Sequence, residues 1–219
     1  TCCFHGDDPT PKPLGKYQTD GLFDLAVDYV QARRWGERPF FMVLSVEAPH
    51  PPHQAPAEAI ERVRPRAMAW RPNFRPGAPP PGTPETKWDL LAAKDVPDLP
   101  ARYYAQIENL DDNFARLTAA LRDTGQWENT VVLFFSDHGE MLGSHGMNGK
   151  GNFYEEAAHI PLMMRLPGVI KAGVVVDAPV SQRDLFATIL DYLRGAAPAS
   201  EGESLRGLIE GRDSGKNRF

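Results

Sequence analysis

Twice in this chain a stretch with helical spacing runs into a short, uninterrupted apolar segment. From Thr19 or Asp20, either of which fits an N-cap, the residues Leu22, Phe23, Ala26, Val27 and Val30 recur at helical intervals, Gly36 and Pro39 mark the stop, and the apolar run 40–46 follows. After Pro100, the residues Ile107, Leu110, Phe114, Leu117 and Leu121 form one apolar stripe, Gly125 ends it, and the run Thr-Val-Val-Leu-Phe-Phe at 130–135 follows. Runs of this length rich in β-branched and aromatic residues read as buried strands. Helix then strand, repeated, is the order of an α/β domain whose sheet is covered by helices. A third strand is expected over 160–166, with Pro161 among its first residues, where a missing amide is tolerated. Ser181 with Asp184 forms an N-cap pattern ahead of a helix over 185–193.

Between the two helix and strand units lies a proline-rich insertion, about 49–100. Proline fixes φ and removes a donor, so this segment is neither central sheet nor a long helix. A long irregular segment in a compact domain is either a binding element or a surface loop, and Trp70, Phe74 and Trp88 are placed to pin it to the core. With 219 residues the chain supports one sizeable core, and nothing in it marks two independent domains. A net charge of −5 and a pI near 5.7 exclude the clustered basic surface of a nucleic-acid binder. No apolar stretch approaches the roughly 20 residues of a membrane helix. Cys2 and Cys3 are adjacent and form no disulfide framework, so the redox compartment is not legible.

The chemistry concentrates after the 130–135 run, in Ser136-Asp-His-Gly-Glu-Met-Leu-Gly-Ser-His-Gly146, with Lys150 just beyond. Open α/β sheets keep their ligand crevices outside the carboxyl ends of the strands, so Asp137 and His138 arrive there as candidate metal ligands. Asp before His-Gly is also ordinary turn chemistry. What argues for more is the company of His145, Lys150 and the upstream His50, which follows the 40–46 run and so emerges at the same sheet edge.

These residues resemble the sulfatases of the alkaline phosphatase superfamily. The likeness extends through Phe153-Tyr-Glu-Glu-Ala-Ala-His-Ile-Pro-Leu162 and Arg165-Leu-Pro-Gly168, upstream through Tyr17-Gln-Thr-Asp20, Pro39-Phe-Phe-Met-Val-Leu-Ser45 and Ala48-Pro-His-Pro51, and downstream through residues 180–190 and Ser204-Leu-Arg-Gly207. Several ordered blocks at similar spacing cover most of the chain. The resemblance implies an alkaline phosphatase-like sheet sandwiched between helices, and cleavage of a sulfate monoester. It implies that Asp137 and His138 bind a divalent metal. Oxygen donors suit Ca²⁺, Mg²⁺ or Mn²⁺ while an imidazole moves preference toward Mn²⁺ or Zn²⁺, and Ca²⁺ is the first choice. It implies that Lys150 contacts the sulfate and stabilises charge on the leaving oxygen, and that His50 hydrogen-bonds the ester oxygen and protonates the departing alcohol. His53 competes for that second role, but Pro49-His50-Pro51 fits the motif better. His145 either orients a ligand or Glu140 or caps the loop; His159 reads as structural and His5 receives no role.

Relatives place paired aspartates and a Cys-x-Pro-x-Arg or Cys-x-Ala-x-Arg segment upstream, whose cysteine becomes the formylglycine nucleophile. Cys2 and Cys3 lack the proline and arginine of that segment and are not the nucleophile. The chain is therefore expected to be a fragment of a single catalytic domain, without the N-terminal nucleophile segment and the C-terminal subdomain, and inactive by itself. The expected partner is a small-molecule or glycan sulfate ester, with no nucleic acid and no transmembrane segment; localisation is not legible. Two rivals stand beside this reading. One is a phosphonate monoester hydrolase or phosphodiesterase of the same superfamily, and the other is a catalytically inactive sulfatase-like module that binds sulfated glycans or a protein.

Overall fold

The computed structural model describes residues 2–5, 8–33, 38–66, 70–75, 99–193, 195 and 200–215. In chain order these form β1 (Cys2–His5), β2 (Asp8–Pro13), α1 (Gln18–Ala32), α2 (Ala57–Val63), α3 (Leu99–Asp123), a 3₁₀ turn (Trp127–Asn129), β3 (Val132–Phe135), α4 (Glu155–Ala158), β4 (Leu162–Arg165), α5 (Arg183–Tyr192) and α6 (Arg206–Ile209). Two compact units result. The first comprises Thr1–Glu128 and His138–His159, the second Asn129–Asp137 and Ile160–Phe219.

The first unit is organised by α1 against α3. Phe23, Ala26 and Val30 of α1 meet Leu117, Ala120 and Leu121 of α3 in a buried cluster. The expected N-cap is corrected: α1 begins at Gln18 behind Tyr17, and neither Thr19 nor Asp20 caps it. Both lie in the first turn, where a tertiary partner recruits the carboxylate. Asp20 Oδ1 accepts hydrogen bonds from the side-chain amides of Asn109 at 2.9 Å and Asn113 at 2.7 Å, both on α3.

That network also corrects the stripe expected on α3. Ile107 is exposed, Leu110 and Phe114 flank the core half-buried, and the inward face above Leu117 carries Gln106, Asn109 and Asn113. Polar side chains go inside when each finds a partner, and these do. Ala105 packs with Ala59, Ile60 and Val63, which seats α2 on α3. Upstream, β1 and β2 pair antiparallel. Prolines at alternate positions 9, 11 and 13 put the missing amides of β2 on one edge.

The strand expected over 40–46 is not one. Its burial alternates as a strand's would: Phe40, Met42, Leu44 and Val46 pack on the α1–α3 cluster while Phe41 and Val43 stay about three-quarters exposed, at 74% and 75%. It joins no ladder among the described residues, and a strand is defined by its partner. The proline-rich insertion is described in part. Trp70 stacks on Phe74 at 3.9 Å and the pair packs with Leu99, Tyr103 and Leu142, so these aromatics do pin the segment. Residues 76–98, including Trp88, lie outside the described residues.

In the second unit β3 and β4 pair antiparallel, with Val132 opposite Arg165 and Phe135 opposite Leu162. The strand expected to be buried at 130–135 is shorter and only half-buried, with Phe135 exposed. Pro161 stands just ahead of β4, where its missing donor costs no ladder bond. The hydrogen bonds expected at the start of α5 are present, although the cap position itself falls on Gln182, which makes no side-chain cap bond. The Ser181 amide donates to Asp184 Oδ2 at 2.9 Å, and Ser181 Oγ accepts from the Arg183 amide at 3.3 Å. Thr188 and Asp184 then bind the amides of Leu205 and Glu203, tying the stretch before α6 to α5. No helix among the described residues is long and apolar enough to cross a membrane.

Candidate active site

Lys150 closes a loop that begins at Gly139. A Cβ on Gly139 would lie 2.1 Å from the Glu156 carbonyl oxygen, so only glycine lets the chain pass α4 here. The loop then turns through left-handed conformations at Leu142, Gly143, His145, Gly146 and Gly149. It is clasped from outside by residues 71–75. Arg71 Nη1 donates to the carbonyls of Glu140 and Met141 and to Ser144 Oγ at 3.2–3.3 Å. The Arg75 amide donates to the Gly143 carbonyl, and the His145 amide to the Asn73 carbonyl, both at 2.9 Å. Met141 and Met147 are buried beneath.

His145, with φ of 56°, stacks on Tyr154 at 4.1 Å. Its Nε2 accepts from Asn73 Nδ2 at 3.0 Å, and Asn73 Nδ2 also reaches Glu156 Oε1 at 2.6 Å. The ring's bonded partner is thus Asn73, an arrangement suited to holding the loop against the 71–75 segment. Burial pushes the Glu156 carboxyl up, but the Asn73 amide, its own backbone amide, the Ser144 hydroxyl and the His145 ring together hold it below the usual carboxylate range.

His50 follows a turn closed by its amide on the Glu47 carbonyl at 2.7 Å. Its Nδ1 lies 2.6 Å from the Pro51 carbonyl. A carbonyl only accepts, so Nδ1 carries the hydrogen and Nε2 presents a lone pair. Lys150 Nζ donates to that lone pair at 3.1 Å. Two residues a hundred positions apart therefore meet at one exposed point, an imidazole nitrogen facing an ammonium. His53 turns the other way. Its Nδ1 is shared between the Pro49 carbonyl at 3.1 Å and Gln106 Oε1 at 3.2 Å, and its ring lies edge-on to Tyr103. Burial pushes the Tyr103 hydroxyl up, with the nearby Glu140 carboxylate adding to the effect.

Asp137 and His138 stand at the end of β3, Asp137 as the last residue of that stretch of the second unit and His138 as the first of the loop in the other. Gln182 Nε2 donates to the carbonyls of Ser136 at 2.8 Å and Asp137 at 2.6 Å, fixing the strand tip within its unit. Sequence reasoning gave Gln182 no role; only its place at the α5 cap pointed to it. His138 Nδ1 lies 2.8 Å from the Gly139 carbonyl, which assigns the proton to Nδ1. The Asp137 side chain is exposed. Among the described residues no group of three or more His, Cys, Asp or Glu side chains gathers to hold a metal ion. His159 pairs with Glu155 at 3.0 Å on an exposed surface.

A sulfatase family model matches residues 5–196. An arylsulfatase of Clostridium perfringens is 31% identical over 208 residues, covering 90% of this chain and 43% of its own length. Among solved structures, a protein of Bacteroides fragilis described as the sulfatase YidJ superposes with a TM-score of 0.81 at 22% identity, over 96% of this chain and 45% of that one. A phosphonate monoester hydrolase from Silicibacter pomeroyi gives 0.74 at 29% identity, over 97% and 46%. The chain spans less than half the length of each. The fold is alkaline phosphatase-like, a small sheet with helices, and the chain belongs to the sulfatase family.

Proposed function

We propose that the full-length protein hydrolyses a sulfate monoester, with Lys150 and His50 at the leaving oxygen and Asp137 and His138 contributing to a divalent cation site. The observation that carries this reading is the hydrogen bond from Lys150 Nζ to His50 Nε2 at 3.1 Å. A cation donor and an imidazole held at one exposed point are what a departing alkoxide needs. Lys150 opposes the charge that grows as the sulfur–oxygen bond breaks. The alcohol leaves with a proton supplied by the Lys150–His50 pair, which regains one from water. Because Nδ1 is committed to Pro51 and Nε2 to Lys150, the proton that reaches the leaving oxygen is a second hydrogen of the Lys150 ammonium, which His50 orients and whose proton it helps to replace.

His138 offers Nε2 and Asp137 a carboxylate to a cation, Ca²⁺ by first choice and otherwise Mg²⁺, Mn²⁺ or Zn²⁺. When bound, the ion supplies positive charge against the sulfate oxygens. By family likeness the nucleophile is a formylglycine, which neither Cys2 nor Cys3 supplies. The substrate is a small-molecule or glycan sulfate ester.

The test is turnover of an aryl sulfate by the full-length protein carrying His50→Ala or Lys150→Ala. Each is expected to lower kcat about 10²- to 10⁴-fold, least with phenols that need no proton to leave. Unchanged rates in both would overturn the reading. The 29% identity to a phosphonate monoester hydrolase favours a second reading, in which the same pair serves a phosphonate monoester. Relative kcat/KM on matched aryl sulfate and aryl phosphonate esters decides between them, and sulfate is expected to lead.

A further inference from the structure

We infer that Glu140 is a positioning residue for Lys150. The inference rests on the reading of Lys150 given above and adds a part to it. Glu140 is 8% exposed, and a carboxylate that deep must be matched by donors. Its Oε1 accepts from the Leu142 amide at 3.1 Å and from the Gly149 amide at 2.5 Å.

The loop's other amides explain why those two matter. Met141 donates to the Gly149 carbonyl, Gly143 to Met147, Ser144 to Met141, Gly146 to Gly143 and Met147 to Ser144, all within 3.1 Å. The loop thus bonds to itself, and Glu140 takes up the amides at its two shoulders. Gly149 is consequently fixed from both sides, its carbonyl by Met141 and its amide by Glu140. Lys150 is the next residue. Its side chain is long and exposed and spends conformational freedom to reach His50, so the height at which its Cα is presented decides whether the ammonium arrives. Arg71, bound to the Glu140 carbonyl, stands by the buried charge without occupying Oε1.

The role differs from plain loop stability in what it does to chemistry. Displacing the Lys150 backbone by about an ångström costs on the order of 10²-fold when charge must be met on a poor leaving group, and little when the leaving group is good. A defect that only removes folded protein scales all substrates alike. The experiment compares full-length wild type, Glu140→Leu, Glu140→Gln and Glu140→Asp on aryl sulfates spanning good and poor leaving phenols. Each is also made with Lys150→Ala.

In Glu140→Leu the rate on the poorest leaving group is expected to fall about 10- to 100-fold, and on the best about threefold or less. Glu140→Gln, which keeps the Oε1 acceptor, restores most of the difference. In the Lys150→Ala background the Glu140→Leu effect vanishes, since the group it positions is gone. Glu140→Asp keeps the charge and shortens the reach; it reads the same dependence should Glu140→Leu not fold. A uniform loss across substrates, or a loss that adds to that of Lys150→Ala, overturns the inference and leaves the role of Lys150 intact. If Lys150→Ala itself costs nothing, it is the reading of the site that fails.

Discussion

His50 projects from a turn that makes one backbone hydrogen bond of its own, His50 to Glu47, and leans on α3 through Gln106, whose Nε2 reaches the His50 carbonyl at 3.5 Å and whose Oε1 meets His53. Lys150 ends a loop cross-bonded within itself, fixed by a buried carboxylate, clasped by Arg71 and Asn73, and threaded past α4 at a position closed to any side chain. One end of the His50–Lys150 bond is set by a dense local lattice and the other by side chains borrowed from elsewhere in the chain, Gln106 of α3 and Tyr17, whose hydroxyl donates to the Gln54 carbonyl at 2.8 Å. Rigidity is placed under the flexible lysine, and the stiff imidazole, with two torsions, manages with less.

Breaking the loop should therefore cost more than breaking the turn. Gly139→Ala drives a Cβ into the Glu156 carbonyl, an overlap with backbone that no rotamer relieves, and should lower unfolding free energy by about 3 kcal/mol or more in denaturant titration. Arg71→Met strands the Glu140 carbonyl and takes one of two partners from the Met141 carbonyl and the Ser144 hydroxyl, with an expected loss of about 1–3 kcal/mol by the same measurement. Gln106→Leu, on the turn side, should cost about 1 kcal/mol, because the His50 carbonyl contact is long and His53 keeps the Pro49 carbonyl as a partner. A larger loss for Gln106→Leu than for Arg71→Met would reverse the comparison.

Acid sharpens it further. The Glu156 carboxyl, depressed in the folded state, contributes stability that is present above its unfolded pKa of about 4.3 and lost as pH falls through the lower folded value. Glu156→Gln should flatten the acid limb of thermal stability below about pH 4.5, and a limb of unchanged slope would remove Glu156 from the account. This is the smallest of the expected effects, since the group is partly exposed and solvent screens it.

Local grammar in the sequence reached part of this. The span of α3 up to its glycine stop, the Ser181–Asp184 hydrogen bond and the place of Pro161 before β4 follow from spacing and from residues whose partners lie within a turn. The face of α3 does not. Reading Ile107 into the core counted apolar residues, whereas Gln106, Asn109 and Asn113 are drawn inward by Asp20 and the His50 turn, partners some fifty to ninety positions away. The available signal was the recurrence of carboxamides at positions 106, 109 and 113 on one side of a helix. At the site, the motif blocks named His50 and Lys150, and the structure shows them in contact. The supports Arg71, Asn73 and Gln106 carry no motif, because their meaning depends on what folds against them. The residues 40–46 erred in another way: alternation predicted which side chains face inward and did not supply a neighbouring strand.

The carboxylate of Asp20 seated between two asparagine amides has a consequence for how α1 and α3 can slide. Greasy helices tolerate a shift of one turn, since leucine meets leucine either way. Here such a slip would leave a naked charge against hydrocarbon and two amides empty-handed, so the helices share one vernier setting. Because the same rod that is locked in this way also carries Gln106, the elevation of the histidine turn is measured, in effect, from an aspartate near the start of the chain.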